Sequence, residues 1–305
     1  MLIVNTMCKL LAAILAGYYL GRKEILSREV NGRISSLIVQ ITCPCLIISS
    51  ISAAEGIERS EVLFLLAAGF VIYLAGPLAA AGIVALFRLP RQARGVYQCM
   101  LIFANCIFMG IPVCQSFFGE KAVFYVSVLH IPYNLLFFTL GIWLISRDGE
   151  QNMKFSPKQL VNVGVIAALI ALILFLGDIR LPEIINGPLS FIGSVTTPLS
   201  MMVIGSSIAV YSFQAIFKDR YLYVITVFRL LVIPLTVFGI MHLVTDNRML
   251  IRLVAISLAM PVGTLLVMGA SEYRGDVKTA SFGVAMTTIC SIVTIPLMAI
   301  IMGIG

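Results

Sequence analysis

Long uninterrupted apolar stretches constrain this chain more than any other feature. Charged and polar punctuation divides its 305 residues into ten runs of helical length, near 2–21, 33–53, 61–87, 95–118, 122–146, 159–177, 189–210, 221–244, 249–271 and 278–303. A bilayer-spanning helix needs about 20 predominantly apolar residues. Many of the runs lack a polar stripe, as expected where lipid bathes one face. Composition points the same way. Some 60% of residues are apolar and 11% charged, against roughly a quarter charged in a soluble domain. Folded proteins already show water a largely apolar surface, so a water-soluble fold could not hide this excess. That excludes a soluble enzyme, a disordered tail and a nucleic-acid-binding module. Ten spans also leave no room for a separate soluble domain. No basic stretch precedes the first apolar run, so a cleaved signal peptide is not expected.

The loops set an orientation. Those after runs 1, 3, 5, 7 and 9 carry 14 of the 21 basic residues, the other loops carry 5, and Lys9 and Arg229 lie within runs. Basic residues collect on the cytoplasmic side. The asymmetry predicts a multi-pass protein of the cell (inner) membrane with both termini outside. It also accounts for the net charge of +7 without an anionic macromolecular partner. Trp143, beside Arg147, is a candidate interface anchor. The seven cysteines all fall inside apolar runs, so no disulfide framework is expected. Cys43-Pro44-Cys45 lacks a companion pair or nearby histidines and reads as packing. No metal site or cofactor is expected.

Prolines reveal an internal repeat. Pro44 and Pro198 are 154 residues apart, Pro77 and Pro234 157, Pro112 and Pro261 149, Pro132 and Pro296 164. Each pair joins a run to the run five places later. An odd number of crossings per repeat forces the second copy to enter from the opposite face. The predicted architecture is therefore all-α, with ten transmembrane helices as two inverted five-helix repeats, 1–146 and 159–305. Secondary transporters built this way place their sites at the midplane, where broken helices meet. Run 4 reads Asn105-Cys-Ile-Phe-Met-Gly110-Ile111-Pro112, and run 9 reads Ala259-Met-Pro261-Val262-Gly263-Thr264. Proline removes a helical hydrogen bond and glycine permits the open backbone that results. Helices 4 and 9 are thus expected to break at these prolines and cross at the midplane. The half-helices after the breaks would aim their N-termini at one another, and such termini bind anions. Asn105 and Thr264 would add neutral hydrogen bonds.

The stretch from Asn105 to Pro112 resembles the fourth helix of the auxin efflux carrier family, which includes the plant PIN carriers and many bacterial transporters. The run from Ala259 through Glu272-Tyr273 resembles that family's ninth helix. Cys43-Pro44 and Ile131-Pro132-Tyr133-Asn134 also fit its pattern, and the resemblance covers the whole chain. It implies a scaffold of helices 1, 2, 6 and 7 and a mobile transport domain of helices 3–5 and 8–10. It implies a substrate site at the crossover, and often a homodimer. The loop between the halves is short here, so the regulatory loop of plant PINs is not inherited. The candidate substrate-binding residues are Asn105, Gly110, Ile111, Pro112, Asn134, Arg229, Pro261, Val262, Gly263 and Thr264.

All 14 acidic residues fall in loops or at run ends, which argues against a carboxylate proton relay. Arg229 has two readings, pairing with an anionic substrate or snorkelling to the interface. His130 reads either as a proton shuttle or as a satisfied core residue. An intramembrane protease would need paired aspartates, a zinc motif or an activated serine, and none is present; Gly205-Ser206-Ser207 reads as small-residue packing. A channel predicts polar rings rather than broken helices. The expected function is efflux of a small organic anion by alternating access, auxin-like or malate/malonate-like. A sodium- or proton-coupled symporter of the bile-acid type is the alternative.

Overall fold

The computed structural model describes residues 2–53, 56–147, 163–209, 217–273 and 275–304. Lys154, Lys158, Arg274 and the start of the sixth run lie outside them. Among the described residues the chain is helical, with no strand beyond a single antiparallel bridge between Ala104 and Val262. In order the helices are α1 (Leu2–Arg22), α2 (Glu29–Ser49), α3 (Arg59–Leu86), α4 (Arg94–Ile102), α5 (Cys106–Phe118), α6 (Lys121–Ser146), α7 (Val163–Leu176), α8 (Glu183–Ala209), α9 (Arg220–Val244), α10 (Arg248–Leu258), α11 (Leu265–Glu272) and α12 (Val277–Ile301). Six of them, α2, α3, α6, α8, α9 and α12, are long and apolar enough to cross a bilayer.

Their outward faces are as apolar as their cores. Leu78, Ile184, Phe191 and Leu243 are each at least 78% exposed, as suits helices whose outer surface faces lipid. The Arg147 guanidinium lies 5.4 Å from the Trp143 ring centre and donates to Gln98, the amphipathic pairing expected at a membrane interface. Near the start of α3, the Glu61 carboxylate accepts from the Tyr125 hydroxyl and the Asn247 amide. That joins α3, α6 and the turn before α10.

Lipid is as apolar as leucine, so helices in it associate through close packing and polar contacts rather than hydrophobic exclusion. The α1–α8 contact works this way. Gly17 lies against Met202, and Gly205 against Ile14. Ser206 donates to Asn31 and links the pair to α2. The Gly205-Ser206-Ser207 run therefore packs helices.

Prolines shape the helices differently from the sequence expectation. Pro44, Pro112 and Pro234 each stand second in an α-helical segment that follows a five-residue π turn, at Ile38–Thr42, Cys106–Gly110 and Phe228–Val232. The amide before each proline pairs five residues back, Cys43 to Ile38, Ile111 to Cys106 and Ile233 to Phe228. The wider turn gives the ring room and absorbs its missing donor. Of the eight paired prolines, Pro261 alone lies outside a helix. Pro112 is therefore not the break in the fourth run. That helix stops at Ile102 and resumes at Cys106, ahead of the proline.

The glycine contact yields a test. A Cβ on Gly205 would sit 1.9 Å from the Ile14 carbonyl oxygen, and backbone cannot yield as a side-chain tip does. Gly205→Ala is expected to cost about 1–3 kcal/mol, read as a lower melting temperature in detergent. Gly82→Ala, which meets nothing within 4 Å, is expected to melt with the wild type.

Candidate functional site

The two interruptions meet. α4 ends at Ile102 and α10 at Leu258, and the extended segments beyond them run antiparallel through the Ala104–Val262 bridge. The Asn105 amide donates to the Pro261 carbonyl at 2.8 Å, and the Gly263 amide to the Phe103 carbonyl at 3.1 Å. The Val262 amide donates to Thr287 Oγ1 of α12 at 3.1 Å. These bonds matter because an unpaired amide in hydrocarbon costs several kcal/mol. Each broken helix supplies the partners the other lacks.

The fourth run has no proline or glycine at its break, so tertiary packing holds it open. The Phe103 ring stacks on Tyr73 at 6.1 Å and meets the edges of Tyr133 at 5.4 Å and Phe137 at 5.1 Å. All four residues are buried. Gly263 completes the contact, since a Cβ there would lie 2.9 Å from the Ala104 oxygen and 3.0 Å from the Tyr133 hydroxyl.

Past the crossing, both helices resume. Asn105 sits at the N-cap of the resumed helix, and its Oδ1 accepts from the Phe108 amide at 3.2 Å. Its amide nitrogen has no partner among the described residues. Gly110, Ile111 and Pro112 follow in the π turn and first α turn of α5 and are buried. Thr264 precedes α11 and is partly exposed, and its side chain caps nothing. Among the described residues, the amides of Ile107, Thr264 and Leu265 take no backbone hydrogen bond. Two helix N-termini with open donors thus adjoin the crossing.

Arg229 comes from α9 and is 0% exposed, so it does not snorkel. Its Nη1 donates to the Leu101 and Ile102 carbonyls at 2.9 and 3.4 Å, and its Nε donates to the Met260 carbonyl at 3.2 Å. One guanidinium therefore satisfies the carboxyl ends of both interrupted helices, where the helix dipoles leave partial negative charge. Its polar neighbours are Tyr73, Tyr133 and Cys106. Its Nη2 is buried and meets no acceptor among the described residues.

The remaining candidates lie further off. Asn134 is buried on α6 and donates to the His130 carbonyl of its own helix. Its neighbour Tyr133, which packs directly on the crossing, is absent from the candidate substrate-binding residues read from the sequence, as is Tyr73. His130 stacks on Tyr133 with ring centres 4.5 Å apart, and neither ring nitrogen finds a hydrogen-bond partner among the described residues. It is a core histidine, but not a satisfied one. Lys9 lies exposed on α1.

Two cavities are present near these elements. One of about 310 Å³ opens at the turn between α9 and α10 among His242, Asp246, Arg248 and Arg252, at the ends of spans. Another of about 250 Å³ is apolar and lies beside α5, lined by Leu10, Ile14, Met109, Val113, Met201 and Ile295.

Interrupted helices that meet inside an apolar helical bundle are an arrangement on which secondary transporters build their sites. Sequence comparison agrees. The profile of a family described as "Membrane transport protein" matches residues 2–299. An uncharacterized transporter of Methanocaldococcus jannaschii is 24% identical over 297 residues, covering 94% of each chain. An uncharacterized transporter of Methanothermobacter thermautotrophicus is 24% identical over 304 residues, covering 98% of each. The uncharacterized transporter YfdV of Escherichia coli K12 is 21% identical over 307 residues, covering 96% of each. The chain belongs to the auxin efflux carrier family of membrane transport proteins.

The crossing itself is testable. Gly263→Ala is expected to force Ala104 and Tyr133 apart and to cost about 1–3 kcal/mol, seen as a lower melting temperature in detergent. Pro112→Ala, seven residues past Asn105, is expected to leave the crossing intact and the melting temperature near that of wild type.

Proposed function

We propose that this transporter carries a small organic anion out of the cell by alternating access. Its ten runs then form two inverted five-helix repeats, 1–146 and 159–305. Runs 1, 2, 6 and 7 make a scaffold, and runs 3–5 and 8–10 make a mobile body that holds the crossing at the membrane midplane. The protein sits in the inner cell membrane with both termini outside, and pairs as a homodimer.

One observation carries the substrate charge. The crossing gathers hydrogen-bond donors that have no acceptor among the described residues: Arg229 Nη2, the Asn105 amide nitrogen and the open amides at the starts of α5 and α11. A carboxylate brings two oxygens to such donors; with Nε and Nη1 given to main-chain carbonyls, Arg229 offers it a charge-assisted bond through Nη2. Arg229 and Asn105 are almost wholly buried, so a substrate would reach them only after a rearrangement, which favours a carrier over an open channel. The apolar cavity of about 250 Å³ has α1 and α8 on one side and α5 and α12 on the other. It favours a substrate with an apolar body, such as an auxin-like aromatic carboxylate, over a small dicarboxylate. Coupled symport has less support, because the helix-end carbonyls suited to a cation already accept from Arg229.

Binding of indole-3-acetate and of malonate to the purified protein tests this reading through the rise in melting temperature that a native-state ligand produces. Asn105→Asp retains the oxygen that caps Phe108 and adds a negative charge. It is expected to keep the wild-type melting temperature and to weaken binding at least about tenfold, or about 1.4 kcal/mol. Wild-type affinity in this variant would move the carboxylate away from Asn105.

A further inference from the structure

The unusual feature of the crossing is a fully buried arginine with no acidic partner among the described residues. Ion pairs among the described residues are Arg33–Glu29 and Arg59–Asp178. All four side chains are more than half exposed, and neither pair lies near α9. Arg229 is instead held by three main-chain oxygens, those of Leu101, Ile102 and Met260, contributed by two separate helix ends. A buried charge persists only where fixed dipoles or counter-charges replace its hydration. Two helix C-termini, each worth about half an elementary negative charge, supply the counter-charge here.

Unwound carbonyls and half-helix C-termini are the groups with which cation-coupled carriers hold their driving ion. In this chain the same type of ligand set is filled by a side chain. We propose that Arg229 is a built-in cation that takes the place of a coupling ion, so that transport needs no co-transported cation. The proposal rests on the carrier reading above and extends it to energetics. A tethered cation cannot dissociate. If α9 moves with the crossing, an empty crossing carries a positive charge across the membrane, and one loaded with a monovalent carboxylate carries none. A membrane potential, negative inside, then acts on the empty step and draws it inward at about 2.3 kcal/mol per charge per 100 mV. That resets the carrier for another outward cycle. Exchange of carboxylate for carboxylate, in which the crossing is always loaded, should ignore the potential, while net efflux should follow it.

The experiment removes the tethered cation and offers a free one. Arg229→Ala leaves three carbonyls facing a space of guanidinium shape. Its melting temperature in detergent is expected to fall below wild type and to rise with about 10 mM guanidinium, but not with equal urea, the neutral isostere. Wild type should respond to neither. In proteoliposomes, guanidinium should restore indole-3-acetate or malonate flux to the alanine variant at least fivefold, with urea inert. Arg229→Lys keeps the charge but loses Nη2, so its flux should fall below wild type yet need no added cation and still follow the membrane potential, which covers the case in which the alanine variant does not fold. Wild-type flux should persist when sodium and potassium are replaced by choline.

An alanine variant indifferent to guanidinium, or helped equally by urea, overturns the proposal. So does wild-type flux that stops without sodium. A guanidinium-specific rise in the alanine variant's melting temperature, with no flux of either carboxylate by wild type, supports the built-in cation and refutes the carrier reading alone.

Discussion

Everything in this structure depends on satisfying main-chain polar groups where no water reaches them. Continuous helices do so internally; a broken one cannot. Here two interrupted helices are placed so that each repairs the other. Asn105 and Gly263 donate across the crossing to Pro261 and Phe103, Thr287 takes the amide of Val262, and Arg229 takes the carbonyls at both carboxyl ends. The repair is incomplete on the amino side. Donors remain there, and an incompletely satisfied polar centre inside a membrane protein is where a ligand finds its partners.

The aromatic residues explain why the open backbone does not close. A regular helix through Phe103–Asn105 would recover local hydrogen bonds but would lose the bridge to Val262. It would also withdraw the Phe103 ring from Tyr73, Tyr133 and Phe137. Aromatic contacts of this kind contribute about 0.5–1.5 kcal/mol each beyond burial. The break is thus a tertiary feature in the first half and a local one in the second, where Pro261 sits within it.

That difference decides what could be read from the sequence. The apolar runs were legible because lipid imposes length and composition on any span. The helix-packing role of Gly205 and Ser206 was legible because close approach demands small residues. The region of the crossing was legible from paired prolines and glycines. The break before Cys106 was misplaced at Pro112, because proline in a membrane helix has a second outlet, the π turn, which leaves the helix continuous. Tyr73 carried no signal, and Tyr133 stood out only within the Ile131–Asn134 stretch that fits the family's pattern, since a tyrosine in an apolar run usually reads as core or interface. Arg229 stood out as a charge in a span, but its partners are main-chain carbonyls, which are invisible to residue type.

The proposed transport depends on the substrate's carboxylate binding at this crossing. A structure of the complex with 5-bromoindole-3-acetate or bromosuccinate, located by anomalous scattering from bromine, tests it most directly. The expected complex has a carboxylate within about 2.7–3.2 Å of Arg229 Nη2 or of an amide at the start of α5 or α11, with the Leu101 and Met260 carbonyls still bound to the guanidinium. A carboxylate lodged instead beside Arg248 and Arg252 at the α9–α10 turn, with the crossing unchanged and empty, would contradict it.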